Sequence, residues 1–245
     1  VFCLQKAYGG RKEMRLIVRF ERLEKIRYIS QLDILRTIHR ALRRADIPVA
    51  YSEGFNPQPK VSFGFALSVG MVSYGEYMDI QLKNDIEENV FVEKMNEVMP
   101  EGMRFTDAVQ ANGNVPKIGR MIDCAEYETT FLSDNPAVLL DKTNEFFSQN
   151  EIIIERHSKK GASFIDAKPW IYSFNAEITD NEHVKLTTVQ ALSEQMSIRI
   201  DDVAVAVMKW ADGAAKHFSA LKKDTFIRNN GRFITPVEYV RLIET

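Results

Sequence analysis

The chain has 245 residues, 45% of them hydrophobic and 27% charged, and a formal net charge of -2. This length allows one large domain or two of ordinary size. The composition excludes a disordered chain and a wholly basic nucleic-acid binder. Two cysteines, Cys3 and Cys124, make no disulfide framework. No apolar run approaches the roughly 20 residues that span a bilayer, and the start, VFCLQKAYGGRKEM, lacks a secretory apolar core. A cytoplasmic protein without membrane association is expected. Charge is unevenly placed: from Arg11 to Asp46, eleven Lys and Arg stand against five Asp and Glu. Screening confines each charge to about 8–10 Å, so a local basic face can bind phosphates on a slightly acidic molecule.

Residues 1–13 read as a tail. Arg15 to Leu23 alternates, with Leu16, Val18 and Phe20 on one side and Ile17 and Arg19 on the other, which predicts a half-buried strand. Ser30 is placed to cap a helix, with Asp33 three residues on. Leu32, Leu35, Ile38, Leu42 and Ala45 give that helix its expected buried stripe. Pro48 ends it near Asp46. Tyr51 to Lys60, YSEGFNPQPK, holds Gly54, Pro57 and Pro59 and must be a loop. Val61 to Val69 reads as a strand bent at Gly64, and Glu76 to Leu82 alternates again. Ile86 to Met99 is helical and Met103 to Val109 extended. The order βαββαβ is the ferredoxin-like pattern, an antiparallel sheet with two helices on one face and the other face free.

Ala111 to Gly119, with Asn112-Gly113-Asn114 and Pro116, marks a linker over 111–120. Beyond it, 121–245 reads as a second α+β domain. Ala125–Leu132, Ile152–Arg156, Phe164–Ile165, Trp170–Ile178, Val184–Ala191 and Phe226–Ile234 are its strands. Asn135–Gln149, Ile200–Ala211 and Pro236–Ile243 are its helices, with Pro136 in a first turn where a missing N–H does no harm. The fold class expected is α+β with two ferredoxin-like domains, 14–110 and 121–245.

Two adjoining features carry the functional signal. At 100° per residue, Arg36, Arg40, Arg43 and Arg44 fall within about 100° of one another on the predicted helix, beside His39. Guanidinium groups suit phosphates because the planar fork donates parallel hydrogen bonds. The other reading is an ordinary solvated helix face with Asp33 and Asp46 as local ion pairs. In the loop, Tyr51 and Phe55 offer stacking faces, Asn56 and Gln58 offer hydrogen-bonding edges, and Lys60 can meet a phosphate; the alternative is a structural corner with its aromatics tucked inward. In the second half, Asp166 and Lys168 of IDAKPW form either a second binding element facing the arginine helix or an edge strand blocked by Pro169.

Catalytic signals are sparse. His39 is the one candidate general base, without a partner acid or nucleophile nearby in sequence. His157, His183 and His217 are scattered and give no metal-ligand spacing with the cysteines. No P-loop or dinucleotide-binding glycine pattern appears, and no three-cysteine cluster could hold iron and sulfur. No metal and no cofactor are expected.

YISQLD (Tyr28–Asp33), Arg43-Arg44, GFNPQPK (Gly54–Lys60) and GEYMD (Gly75–Asp79), with IDAKPWI further on, together resemble a bacterial family of radical-SAM-linked proteins over most of the chain after Met14. Tyr28 and Gln31 stand where phenylalanine and histidine are common in that family. The resemblance implies a partner, encoded beside or fused to members, that carries the radical-SAM chemistry with a cobalamin-binding-type domain. The cluster and the SAM would then belong to the partner. The sequence thus leads to a non-catalytic accessory protein that binds substrate, RNA, for a radical-SAM enzyme. The alternatives are a protein–protein adaptor docking on that enzyme and a metal-independent RNA nuclease using His39.

Overall fold

The computed structural model describes residues 14–158 and 161–244, with the side chains of 157 and 158 excepted. The predicted tail, 1–13, lies outside the described residues.

β1 (Met14–Arg22) leads through a short 3₁₀ turn to α1 (Gln31–Arg44), then β2 (Val61–Phe63), β3 (Val72–Leu82), α2 (Glu88–Val98) and β4 (Met103–Gln110). A one-turn helix, α3 (Ile118–Met121), opens the second half. It continues with β5 (Cys124–Leu132), α4 (Pro136–Ser148), β6 (Ile153–Ser158), β7 (Gly161–Asp166), β8 (Ile171–Ile178), β9 (His183–Ala191), α5 (Ile200–Trp210), β10 (His217–Asn229), β11 (Arg232–Ile234) and α6 (Pro236–Glu244). The fold is mixed α+β around one large sheet.

That sheet has nine strands, in the order β4-β1-β3-β10-β5-β9-β8, with β2 on β3 and β11 on β10. In the first half β1 is antiparallel to both β3 and β4, and β2 is antiparallel to β3. In the second half β5 is antiparallel to β9 and β10, and β8 to β9. The halves meet where β10 runs parallel to β3, Leu221 opposite Val72 and Lys222 opposite Ser73. β6 and β7 form a separate two-stranded hairpin between α4 and β8.

α1 begins as its sequence dictates. Ser30 Oγ accepts from the Asp33 N–H at 3.2 Å and donates to the Asp33 carboxylate at 2.8 Å, closing a reciprocal cap. Its buried face differs from the expected stripe. Ile34, Ile38, Ala41 and Leu42 are buried, followed by Ala45, while Leu32 is 55% exposed. Spacings of four, three and four residues put 34, 38, 41 and 45 on one line. Leu32 and Leu35 fall off its edge. This face packs on Leu16, Val18, Phe20, Met78 and Ile80 together with Phe91 and Met95 of α2. Each such side chain stabilises the fold by roughly 1.5–3 kcal/mol on full burial.

The expectation of a free second sheet face fails. Ile17 is fully buried, within one core that includes Val109, Val115, Ile118 and Val240. Segment 111–121 and the C-terminal helix α6 therefore cover the face opposite α1. Arg241 of α6 binds Asp107 of β4 through two hydrogen bonds, of 2.7 and 3.0 Å.

Three smaller elements also differ. The strand expected over 61–69 ends at Phe63, and Gly64 follows it in close contact with Ile122: a Cβ there would lie 2.5 Å from Ile122 Cδ1. Lys168–Trp170 is a 3₁₀ turn with Pro169 in its first positions, and no part of an edge strand. The last long strand spans 217–229, well before the expected Phe226, and turns through Asn230-Gly231 into β11.

Candidate functional site

α1 carries the arginines as predicted, but they are not equivalent. Arg36 binds Asp33 at 2.9 Å, and Arg44 donates to the Val98 carbonyl at the end of α2 at 2.5 Å. Arg40 and Arg43 are exposed, and among the described residues they make no hydrogen bond or ion pair. His39 beside them is half-buried, and its Nε2 is buried without a hydrogen-bond partner. Burial, and secondarily the Arg43 charge, hold its pKa below the ordinary histidine value. Among the described residues no general acid or nucleophile is hydrogen-bonded to its Nε2.

After α1, Asp46 adopts φ +52° and turns the chain; Val49 then bridges to Leu82, at the end of β3. The loop that follows closes on itself. Tyr51 pairs with Pro59, the Ser52 N–H donates to the Gln58 carbonyl at 2.9 Å, and the Gln58 N–H donates to Ser52 Oγ at 3.0 Å. Gly54 holds φ +120°, a conformation side chains resist whatever the room around them. The two aromatics part company. Tyr51 leans on the α1 core, and Lys83 Nζ lies 5.4 Å from its ring centroid. Phe55 has 113% relative exposure, so its whole ring faces water. Asn56 and Pro57 are exposed beside it, and Gln58 Nε2 donates to Asn56 Oδ1 at 3.2 Å.

Lys60 belongs to the other side of the sheet. In the register of β1, β2 and β3, Arg15 stands opposite Gln81 and Ser62 opposite Asp79. By strand alternation, these positions and Lys60 share the face away from α1. They line a cavity of about 430 Å³ with Lys117. Arg15, Ser62, Gln81 and Lys117 are invisible as a group in the sequence, because only the strand register and α3 bring them together. The loop thus sits at the end of the sheet, between the arginine helix on one face and this groove on the other.

Asp166 and Lys168 do not join that region. Asp166 Oδ1 accepts from the N–H groups of Ile152 and Lys168, at 2.8 and 3.0 Å, and Lys168 Nζ donates to the Phe147 carbonyl at 2.6 Å. Asp166 thus closes the base of the β6–β7 hairpin, and Lys168 ties it to α4.

The GEYMD segment of β3 forms the seam between the halves. A Cβ on Gly75 would lie 2.1 Å from Asp224 Oδ1 and 2.6 Å from Asp224 Cα, so only glycine lets β10 approach. Glu76 pairs with Lys222, both buried, and accepts from Ser73 Oγ at 2.7 Å. Tyr77 donates to Asp224 at 2.8 Å, and Arg19 binds the other oxygen of Asp224 at 2.8 Å. Burial first, then the Asp224 charge, push the Tyr77 hydroxyl far above its ordinary pKa, so it stays protonated as the donor. Asp79 accepts from Arg15 Nε and from the Ile118 N–H, each at 2.8 Å. Burial still outweighs those partners and raises its pKa.

Among the described residues no group of three or more His, Cys, Asp or Glu could hold a metal ion. No described helix is long and apolar enough to cross a membrane.

A family described as an uncharacterized protein conserved in bacteria (DUF2344) matches residues 15–200 of the chain, more than half of its length. The protein belongs to that family. The match takes in the arginine helix, the loop and GEYMD, and it stops before β10, which supplies their seam partners Lys222 and Asp224. No curated protein matches the chain. Among solved structures, an unknown protein from Galdieria sulphuraria is similar at 11% identity, over 86% of this chain and 98% of that one, with a TM-score of 0.26. A protein assigned as a glycine cleavage system transcriptional repressor is 10% identical, over 86% and 99%, with a TM-score of 0.25. A protein assigned as a monooxygenase from Lactobacillus acidophilus NCFM is 8% identical, over 91% and 98%, also at 0.25. Likenesses this weak carry no argument about function or fold.

Proposed function

We propose that the protein is a non-catalytic accessory protein that binds RNA as the substrate of a radical-SAM partner enzyme. In this reading it is built from two ferredoxin-like units, 14–110 and 121–245. The carrying observation is the pair of solvent-facing features in consecutive segments: the closed loop 51–60 holds Phe55 wholly in solvent, and Arg40 and Arg43 of the preceding helix have no partner among the described residues. An exposed ring on a pinned loop is a stacking platform for any base. Guanidinium groups not already spoken for can displace counterions from a phosphodiester backbone. The radical-SAM partner rests on the sequence resemblance of YISQLD, GFNPQPK and GEYMD.

The test is the anisotropy of a labelled single-stranded RNA titrated with the full chain at several salt concentrations. Binding that weakens with salt, and more so after Arg40→Ala and Arg43→Ala, supports the reading. No binding even at low salt ends it.

A second reading, an adaptor for the same partner enzyme, has its own observation. Tyr28, Leu32 and Val69 are 67%, 55% and 61% exposed around the start of α1. The Gly70 N–H donates to the Arg27 carbonyl at 2.8 Å, which brings Val69 beside Tyr28. Exposed apolar groups gathered in this way mark protein contacts more often than nucleic-acid contacts. Co-purification with the partner enzyme, abolished by Leu32→Asp, would support the adaptor; retention by that variant would count against this surface.

A further inference from the structure

We infer that the groove between β2, β3 and α3 is a phosphomonoester site, separate from the arginine helix. Six side chains define it: Arg15, Lys60, Ser62, Asp79, Gln81 and Lys117. Three cations and one carboxylate line it, and the carboxylate is already held by Arg15. A lining in which cations outnumber carboxylates suits phosphate, and a terminal monoester presents it with more charge and more oxygens than a diester does. At about 430 Å³ the cavity has the size of a small-ligand site.

The groove is built on rigid elements. Arg15 donates to Asp79 Oδ1 at 2.8 Å and to the carbonyls of Val115 and Pro116, both at 2.5 Å. Asp79 also receives the Ile118 N–H, so one carboxylate fixes the Arg15 fork and the start of α3. These bonds anchor Arg15 as a fixed positive wall. They also neutralise Asp79 locally, so it does not repel an incoming anion. Lys117, by contrast, is exposed and makes no hydrogen bond or ion pair among the described residues. Ser62 is exposed on the neighbouring strand, and Gln81 is half-buried across from it. A hydroxyl and an amide beside a lysine can donate to phosphate oxygens, which accept only.

The phosphate could end an RNA strand or belong to a free mononucleotide; the strand source rests on the RNA reading above, and the mononucleotide source does not. The experiment is calorimetric titration of the full chain, at low salt, with four ligands: a nucleoside, its 5′-monophosphate, and one short RNA with and without a 5′-phosphate. The variants are Lys117→Ala, Ser62→Asp and, as a control outside the groove, Arg40→Ala. Among the described residues neither the Lys117 nor the Ser62 side chain makes a hydrogen bond or ion pair, and their backbone bonds survive substitution, so both variants should remain folded. Loss of one charge-assisted hydrogen bond weakens binding by about tenfold or more.

The expected result is that the monophosphate binds and the nucleoside does not. Lys117→Ala and Ser62→Asp each weaken the monophosphate about tenfold or more, and Arg40→Ala leaves it unchanged. Equal binding of nucleoside and monophosphate, no binding of any phosphate, or indifference to both groove variants would overturn the site. If the monophosphate binds through the groove while neither RNA binds, the groove stands and the RNA reading falls. If RNA binds through Arg40 regardless of its 5′ end and the monophosphate does not bind, the reverse holds.

Discussion

Two regions of this molecule concentrate charge beside a glycine, and they use that charge in opposite ways. In the seam, charges are paired within the protein: Glu76 with Lys222, Asp224 with Arg19 and Tyr77, Asp79 with Arg15. In the arginine helix and its loop, Arg40, Arg43 and Phe55 are turned to water. Segments that look alike in the sequence, charged and glycine-bearing, therefore divide into one that joins the halves and one that is free to meet a ligand. A buried ion pair contributes little net stability compared with an apolar pair, but breaking it leaves an uncompensated charge. An exposed arginine contributes almost nothing to stability and can contribute much to binding.

The largest effect is expected at Lys222. Lys222→Ala leaves Glu76 buried without its counter-charge and is expected to cost about 3–5 kcal/mol, read as a lower urea midpoint. A midpoint close to wild type would show that the seam does not depend on this pair. Gly75→Ala comes next. Its new Cβ meets the Asp224 backbone, which cannot rotate away, so a loss of about 1–3 kcal/mol is expected in the same assay.

Phe55→Ala should act on binding and spare the fold. Stability should stay within about 0.5 kcal/mol, while RNA affinity falls by about 1–3 kcal/mol for a missing base stack. Unchanged affinity would remove the loop from the binding surface.

The smallest effect concerns His39. Its folded pKa lies below the unfolded value, because burial and then Arg43 disfavour the charged ring. The unfolded state therefore binds more protons in the window below about 6.5. Its contribution to stability is present above that value and is lost as pH falls through the folded pKa. His39→Gln should make urea midpoints less steeply dependent on pH between about 6.5 and 5, and an identical profile would show that His39 does not titrate this way.

Much of this is legible in the sequence, for reasons visible in particular residues. Ser30 with Asp33 announces the start of α1, and Gly54 with Pro57 and Pro59 announces the loop, because both signals are local. The buried face of α1 is not legible in the same way, because Leu32 and Leu35 are as apolar as Ile34 and Ala41, and only the direction of packing separates them. The seam is hidden as well. Its partners Glu76 and Lys222 lie far apart in the chain, and a buried lysine in β10 breaks the hydrophobic alternation that would reveal the strand from His217. The covered sheet face escapes the sequence for the same reason, since α6 and the segment around Ile118 reach it only in three dimensions. Nearness in sequence groups Lys60 with the arginines, whereas strand alternation places it on the opposite face.

The central claim is that α1 and the loop bind RNA with residues the fold does not need. The most direct measurement is RNA affinity against salt for wild type and the Arg40→Ala/Arg43→Ala double variant, with urea midpoints taken on the same samples. Wild type is expected to bind in a salt-sensitive way. The double variant is expected to bind more weakly at every salt concentration and with a shallower log–log slope, by about 0.7 for each RNA phosphate that it no longer neutralises, with midpoints that coincide. Binding by the double variant as tight as wild type would contradict it, as would a wild type that binds no RNA at low salt.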